Sequence, residues 1–323
     1  MRITAKHYET LTKKLPSFCF IRESVLTLTD LERTLSEPVD ELLYDDGNYE
    51  RLAGGELVRT GDLDGKEPTI ERVETRLEGS FNLTEGEMRV IMQQLLKVAA
   101  KDPLRPVMEC AWVDGEYLVA SDTHTLRKVR KSEPVEGAYL LPLRPLSNLI
   151  PLEGCAVSVH DKVVELCFPD GFTASVASVD SLVPNWRSVV PPLYDLPAIL
   201  RLSVKELKNS ILPYLKKAPA PTVVVTAKGL VVDWVGNLRQ LVFPYESLSE
   251  APERELDGLI MPMVNIGGVG TSLGEKAYAD RLEAVGGWFT GFNLEKLIAL
   301  AGSAKTVTLA YEEANRAILV WLD

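Results

Sequence analysis

Two hydrophobic periods alternate along the chain, and each predicts a different kind of element. Apolar residues recur every three to four positions from Thr84 to Ala100, which predicts an amphipathic helix with a capping-box signal at Thr84 and Glu87. Short apolar runs bounded by turn residues predict strands, among them Glu116–Ala120 and Leu126–Arg130. The combination predicts an α+β fold.

The order of a helix followed by strands recurs along the chain. In the middle third, further strands are predicted at Val107–Val113, Ala156–His160, Val163–Phe168 and Thr173–Val179. In the last third, helices are predicted at Ser203–Leu215 and from Asn293 to Ala301, and strands at Thr222–Thr226, Gly229–Trp234, Val307–Tyr311 and Ala317–Trp321. The first third is a weaker copy, with a helix at Lys6–Leu15 and one strand within Ser24–Leu35.

Aspartates stand at comparable points of these three parts, at Asp30, Asp122 and Asp233, which indicates an internal repeat. We therefore predict three domains: a reduced N-terminal domain at 1–80, a middle domain at 81–197 and a C-terminal domain at 198–323. The last one carries an apparent insertion at about 246–285, longer than an ordinary loop between strands. Its glycine-rich stretch at 267–276 lacks the Gly-Lys-Ser/Thr order of a phosphate-binding loop, so we interpret it as a surface loop.

The net charge of −11 argues at first against a nucleic-acid partner, because phosphate-binding surfaces are basic. The charges are unevenly distributed, however. Lysine and arginine gather on the predicted helices, and acidic residues in connecting segments such as 37–50, 62–78 and 249–257. If the helices share one side, an acidic chain presents a basic surface to one partner. The alternative is an ordinary solvated face on each helix.

Other classes of protein find little support in the sequence. No stretch approaches the roughly 18 consecutive apolar residues of a membrane helix, and the first residues lack an apolar signal region, so we expect a cytoplasmic protein with no membrane partner. The four cysteines lie in or beside apolar runs without metal-ligand spacing, which predicts reduced thiols and no metal. An enzyme using Asp122 and His124 at one turn is the weakest interpretation.

Six short motifs, spread in order over most of the chain, carry a family resemblance. They are LTLTDLE at 26–32, DPLRPV at 102–107, SDTHTL at 121–126, VPNWRSVVP at 183–191, GFN at 291–293 and YEEANRAIL at 311–319. Together they resemble motifs of the sliding clamp of bacterial replication, the beta subunit of DNA polymerase III. The segment at 121–126 is similar to that family's Thr-Asp-Gly-His-Arg-Leu turn, and 183–191 to its Phe-Pro-Asp-Tyr-Arg-x-Val-x-Pro segment.

The resemblance implies a DNA polymerase processivity factor rather than an enzyme, with no cofactor. Clamp-type domains with helices inside and antiparallel sheets outside would form a ring of protomers, a dimer being favoured, around duplex DNA. A separate ATP-dependent clamp loader would open it, and the protein would be associated with the nucleoid. The DNA-facing residues would be those of the helices: Lys6, Lys13, Lys14, Arg89, Lys97, Lys101, Lys205, Lys208, Lys216, Lys217 and Lys296.

The resemblance also implies a pocket for short Gln- and Leu-containing peptides of polymerases and other replication or repair partners. Its residues here would be Arg105, Ser121, Thr123, His124, Thr125, Leu126, Pro191 and Leu196. A mostly apolar groove with a few polar groups suits a peptide with two hydrophobic anchors. Without the flanking motifs, His124 would be interpreted as a turn histidine satisfied by its own backbone.

Departures from the family pattern leave an alternative open. The first domain is short, and the family's final Met-Pro-containing strand has no counterpart after Val320, so we hypothesise that Ile260-Met261-Pro262-Met263 of the insertion takes its place. A clamp-derived interaction module that no longer closes on DNA is therefore the second function that we consider.

Overall fold

Strands dominate the structure, a computed structural model. It describes residues 3, 5–12, 18–22, 25–30, 32–38, 42–45, 49–52, 57–59, 75–190, 198–215, 222–226, 229–234, 237–243, 246–248, 258–261, 290–292, 294–311 and 318–323. The chain divides into two compact units, the first formed by Met1–Ala120 and Lys131–Val183, and the second by Ser121–Arg130 and Pro184–Asp323. The domain boundaries after residues 80 and 197 stay predictions.

The helices are short in the described ranges. They are α1 (Ala5–Thr12), α2 (Glu85–Val90), α3 (Leu96–Val98), α4 (Pro106–Glu109), α5 (Val204–Glu206), α6 (Leu212–Leu215) and α7 (Leu294–Ala301). A π-helical turn joins α2 to α3 (Ile91–Leu95) and another joins α5 to α6 (Leu207–Ile211), and 3₁₀ turns lie at Arg144–Leu146 and Trp186–Val189.

The strands of the first unit are β1 (Phe18–Arg22), β2 (Val25–Thr29), β3 (Arg33–Pro38), β4 (Leu42–Asp45), β5 (Tyr49–Leu52), β6 (Leu57–Arg59), β7 (Leu77–Leu83), β8 (Ala111–Asp114), β9 (Tyr117–Ser121), β11 (Ala138–Leu141), β12 (Cys155–His160), β13 (Val163–Cys167) and β14 (Thr173–Ala177), β9 ending on the first residue of the second unit. Strand β10 (Leu126–Arg130) lies between them in sequence and belongs to the second unit. The sheet order β1-β2-β3-β14-β13-β12-β7 joins strands from the first and middle thirds, because β3 pairs with β14.

The second unit contains β10 and the later strands, β15 (Ala198–Ser203), β16 (Thr222–Thr226), β17 (Gly229–Trp234), β18 (Asn237–Phe243), β19 (Glu246–Leu248), β20 (Gly258–Met261), β21 (Thr290–Phe292), β22 (Thr306–Tyr311) and β23 (Ile318–Leu322). Its strand orders are β10-β20-β23-β22-β15-β19 and β18-β17-β16-β21, and the neighbouring strands in these orders pair antiparallel.

Two helices, one in each unit, begin in the same way. Strand β7 leads into Thr84, whose hydroxyl accepts a hydrogen bond from the amide of Glu87 at 3.2 Å. The Glu87 carboxylate in turn accepts a hydrogen bond from the amide of Thr84, which confirms the predicted capping box. Strand β15 leads likewise to Ser203, whose hydroxyl accepts from the amide of Glu206 at 3.3 Å. Each helix then passes through its π-helical turn.

Burial of the apolar helix faces supplies each unit with a core. Met88, Ile91 and Leu95 of the first unit are fully buried, as their helical spacing predicts. In the second unit Leu297 of α7 and Trp321 of β23 are fully buried. Removing such a side chain from water contributes about 1.5 to 3 kcal/mol, so these faces hold the helices on their sheets.

Two predicted strands are wrong in detail. Val107–Val113 begins as helix α4 and becomes a strand only at Ala111, because Pro106 suits a first helical turn and the indole Nε1 of Trp112 donates to the Val107 carbonyl at 2.8 Å. Ser24–Leu35 holds two strands, β2 and β3, rather than one. Asp30 interrupts it, because its carboxylate accepts backbone amides and closes a turn.

Candidate functional site

A tight turn joins β9 to β10 and contains five of the predicted peptide-site residues. The Oδ1 atom of Asp122 accepts from the amides of His124 at 3.1 Å and Thr125 at 2.6 Å, and the Asp122 amide donates to the Thr125 carbonyl at 3.2 Å. The Ser121 hydroxyl accepts from the amide of Thr123 at 3.0 Å. The sequence folds this way because short polar side chains after a strand satisfy the amides of a reversing backbone.

The side chains of the turn differ in their exposure, and that of Asp122 is partly exposed. Thr123 and His124 are exposed, whereas Ser121, Thr125 and Leu126 are buried. Thr123 has a φ of 75°, a conformation that is unfavourable for a β-branched residue. The buried Thr125 hydroxyl has no hydrogen-bond partner among the described residues. The exposed tip is therefore polar, and its backbone is strained at Thr123.

Lysine 296 of helix α7 binds the turn. Its ammonium lies 2.5 Å from Oδ2 of Asp122, and both side chains are about one-quarter exposed, at 28% and 25%. Burial by itself would raise the pKa of the Asp122 carboxyl, but hydrogen bonds from Lys296 and the two amides, together with the lysine charge, lower it below 3.8. Lys296 was predicted to face DNA, and the structure places its charge on Asp122.

Strand β10 continues from the turn and carries two further contacts within the second unit. Arg127 is buried and its Nη1 donates to the carbonyl of Leu300 in α7 at 3.3 Å. The Lys128 ammonium lies 6.0 Å from the centre of the Trp186 ring, and the Arg187 guanidinium stacks over the same ring at 4.4 Å. Trp186 is 4% exposed, so it anchors the proline-bracketed segment that starts at Pro184.

The predicted insertion supplies a neighbour for this strand. The β20 backbone pairs antiparallel with β10, with Ile260 opposite Leu126, and its other edge pairs with β23, where Met261 lies opposite Ile318. The hypothesis that this segment takes the place of the family's final strand stays a prediction, because it requires Met261 to lie near both His124 and Pro191, and Pro191 lies outside the described residues. Pro262 and Met263 lie outside the described residues.

Three predicted peptide-site residues, Arg105, Pro191 and Leu196, lie outside this turn in the sequence. Arg105 belongs to the first unit, where it is exposed and its Nε lies 2.7 Å from Oδ2 of Asp102. The pKa of Asp102 is lowered, first by this hydrogen bond and then by the amide of Leu104. Pro191 and Leu196 lie outside the described residues. The structure thus describes Ser121 to Leu126 in one turn, and the place of the other three residues in a peptide site stays a prediction.

The basic helix residues that the structure describes are mostly exposed. Lys6, Arg89, Lys97, Lys101, Lys205 and Lys208 are all exposed. Arg89 bonds Glu85 one helical turn away at 2.5 Å, an exposed pair that contributes less than about 1 kcal/mol. Lys13, Lys14, Lys216 and Lys217 lie outside the described residues. Most of the described set can therefore meet an anion without first losing a strong partner.

Sequence reasoning missed two cationic contacts that hold the turn, that of Lys296 with Asp122 and that of Arg127 with the Leu300 carbonyl. One signal was available for the first of them. The equivalent turn at Asp30 has a cation three residues later, Arg33, whereas Asp122 is followed by Thr125 at that spacing. A half-buried carboxylate without a local cation indicates that one comes from elsewhere in the fold.

The described residues include neither a candidate metal site nor a candidate membrane-spanning helix. No group of three or more His, Cys, Asp or Glu there could hold a metal ion, and no helix is long and apolar enough to cross a membrane. Burial raises the pKa of the Cys110 and Cys155 thiols to about 12, so both stay protonated and unreactive.

Comparison of the whole chain with solved structures gives many matches to one type of protein. The DNA polymerase sliding clamp from Pseudomonas aeruginosa matches with a TM-score of 0.65 and 14% identity over 99% of this chain and 91% of that one. The fold is that of a bacterial sliding clamp. DNA polymerase III subunit beta from Borrelia burgdorferi matches at 0.64 with 9% identity, covering 98% and 96% of the two chains. The beta subunit from Thermotoga maritima matches at 0.62 with 13% identity, covering 98% and 94%.

The clamp fold was the predicted one, and the α+β class with antiparallel sheets is confirmed. No family model matches the chain, and no curated protein matches it. The likeness thus resides in the backbone fold, at sequence identities between 9% and 14% in the matches given above.

Proposed function

We propose that this protein is a DNA sliding clamp, a processivity factor that encircles duplex DNA without reading its sequence. One observation carries the proposal: the clamp fold extends over 98% to 99% of this chain and over 91% to 96% of the solved clamps compared above. A chain that keeps the fold over nearly its whole length keeps the framework on which a ring is built. The three predicted domains are part of this proposal.

The distribution of charge supports a DNA-binding role in spite of the net charge of −11. The proposed DNA-facing residues are Lys6, Lys13, Lys14, Arg89, Lys97, Lys101, Lys205, Lys208, Lys216 and Lys217, and the six described ones are exposed on or beside helices. Ammonium and guanidinium groups on flexible side chains position a duplex through its phosphates and carry no base specificity. Lys296 is excluded from this set because Asp122 already binds it.

The second half of the proposal is a peptide site formed by Arg105, Ser121, Thr123, His124, Thr125, Leu126, Pro191 and Leu196. Its support in the structure is the turn, which exposes Thr123 and His124. Polar groups on a turn whose backbone is fixed by hydrogen bonds suit the glutamine of short Gln- and Leu-containing segments of polymerases. A clamp loader and a second copy of the chain are the other proposed partners, and the nucleoid in the cytoplasm is the proposed location.

Retention on DNA of different topology tests the ring directly. Protein is loaded by a clamp loader onto nicked circular DNA, washed at high salt, and the DNA is then linearised with a restriction enzyme. A closed ring stays on the circle at high salt, because topology holds it, and leaves after linearisation. Contacts to phosphates alone are lost at high salt from both forms.

Equal release from circular and linear DNA would refute the ring. If the peptide site still binds a polymerase peptide in that case, the second function, an interaction module derived from a clamp, replaces it. The mass in solution provides a separate check, because a dimeric ring of 35.7 kDa chains has twice that mass.

A further inference from the structure

The turns at Asp30 and Asp122 share one backbone design. In each, the aspartate Oδ1 accepts from the amides two and three residues later, and its own amide donates to the carbonyl three residues later. The two turns lie in different units, and the predicted internal repeat places them at comparable points of the sequence. Each can therefore serve as an internal reference for the other.

The source of the cation differs between the two turns. Asp30 is bound by Arg33, a residue of its own turn, with Nε 2.9 Å from Oδ2. Asp122 has Thr125 at that position and is bound instead by Lys296, 174 residues away in helix α7. The first turn is thus electrostatically complete by itself, whereas the second depends on a helix from the end of the chain.

Helix α7 holds the second turn at more than one point. Besides Lys296, the carbonyl of Leu300 in the same helix accepts from the buried Arg127, one residue into the strand that leaves the turn. Between these two contacts the backbone carries Thr123 at a φ of 75°. An unfavourable backbone conformation persists only where its surroundings over-determine it, and helix α7 supplies such surroundings.

We propose that Asp122 and Lys296 are a positioning pair for peptide binding: their ion pair holds the turn on helix α7 so that Thr123 and His124 face a partner. The proposal rests on the proposed function, since it concerns the same peptide site. Neither residue is required to touch the peptide. Lys296 therefore serves the peptide site rather than the DNA surface, to which sequence reasoning assigned it.

A double-mutant cycle tests the pair. The probe is a fluorescent synthetic peptide with one glutamine and two leucines, titrated against the full-length protein by fluorescence anisotropy. Asp122→Asn keeps an oxygen for the two amides and removes the charge, Lys296→Met removes the ammonium and keeps the chain length, and Lys296→Arg restores a cation. Lys305→Met is the matched control, because Lys305 is an exposed lysine of the same unit outside the site.

Each single substitution is expected to weaken peptide binding about three- to tenfold, and the double variant no more than either one, because both remove the same interaction. Lys296→Arg should recover most of the affinity, and Lys305→Met should bind like the unaltered protein. A midpoint of thermal unfolding measured for every variant separates lost positioning from lost folding. A merely structural pair would lower that midpoint and leave the affinity of the folded protein unchanged.

The outcomes distinguish this proposal from the proposed function. If the unaltered protein binds peptide and Lys296→Met binds it equally well, the positioning role is refuted and the peptide site stands. Lys296→Met could instead reduce the slope of log K against log salt for DNA binding by about 1, the value for one phosphate contact. In that case Lys296 belongs to the DNA surface and the proposal is again refuted. If the unaltered protein binds no such peptide, the peptide site fails and the positioning pair with it.

Discussion

Replacing Glu87 tests how strongly a single buried carboxylate holds the first unit together. Glu87 is 7% exposed and its two oxygens serve three donors: Oε2 accepts from the amide of Thr84, and Oε1 accepts from the amide and the hydroxyl of Ser132, each at 2.8 Å. The Lys131 ammonium lies 3.7 Å from Oε1 and is itself buried. One side chain thus joins a helix start to the segment after β10.

The expected loss follows from these contacts. In Glu87→Gln the amide oxygen can keep Ser132, but the NH₂ group then faces the Thr84 amide, and a buried donor without an acceptor costs about 1 to 3 kcal/mol. Lys131 keeps its bond to the Asn82 carbonyl and loses its counter-charge, and breaking a buried pair costs about 3 to 5 kcal/mol. Because the two effects share one site, we expect a total of about 3 to 5 kcal/mol.

The assay is urea unfolding followed by circular dichroism, with hydrogen exchange of residues 84–100 to report on the first unit itself. Glu85→Gln is the matched control, since Glu85 lies two residues away in the same helical turn and is exposed. Its pair with Arg89 predicts a loss below about 1 kcal/mol. A Glu87→Gln protein no less stable than Glu85→Gln would refute the reasoning from burial and shared acceptors.

Three further predictions follow from the same structure. Acid should destabilise the protein below about pH 4.5, since the folded-state pKa values of Glu87 and Asp122 lie below their ordinary 4.5 and 3.8. For Glu87, burial opposes this shift, and the bonds from Thr84 and Ser132 with the charge of Lys131 outweigh it. The stability that these groups contribute is present above the ordinary values and is lost as pH falls through the lowered ones, and unfolding midpoints at pH 3 to 7 measure it. The Thr123→Gly variant should be more stable by up to about 1 kcal/mol, because glycine adopts a φ of 75° without strain, whereas Thr123→Ala should gain little; equal midpoints for both variants would contradict this. Replacing Lys97 and Lys101 by alanine should reduce the slope of log K against log salt for duplex DNA by about 2, and an unchanged slope would remove both from the DNA surface.

Local features were predictable because their causes lie within a few residues. The capping box at Thr84 and Glu87 needs only a hydroxyl and a carboxylate three positions apart, and it formed as expected. Strands Thr222–Thr226 and Gly229–Trp234 have the predicted bounds, since apolar runs between turn residues define their own ends. Val107–Val113 failed because an apolar run does not show that Pro106 starts a helix or that Trp112 bonds back to Val107.

The turn at 121–126 shows where sequence reasoning ends. Its residue types identified it as a strand end and, through the resemblance, as a candidate peptide site, and its backbone bonds are the ones that Asp and Ser make locally. No periodicity in the sequence predicts that Lys296 binds Asp122, which lies 174 residues away, because a long flexible lysine is compatible with many surfaces.

The sequence by itself determined local features, among them the capping box at Thr84 and the strands Thr222–Thr226 and Gly229–Trp234, and it carried the clamp resemblance, since these depend on short-range patterns and on the order of motifs. Only the tertiary structure decided which partners those elements meet: that β20 of the insertion lies beside β10, that Arg127 bonds the end of α7, and that Lys296 binds Asp122. Such pairings depend on how distant segments fold onto each other, and an ion pair or a strand register forms only where the packed backbone brings both halves within a few ångströms.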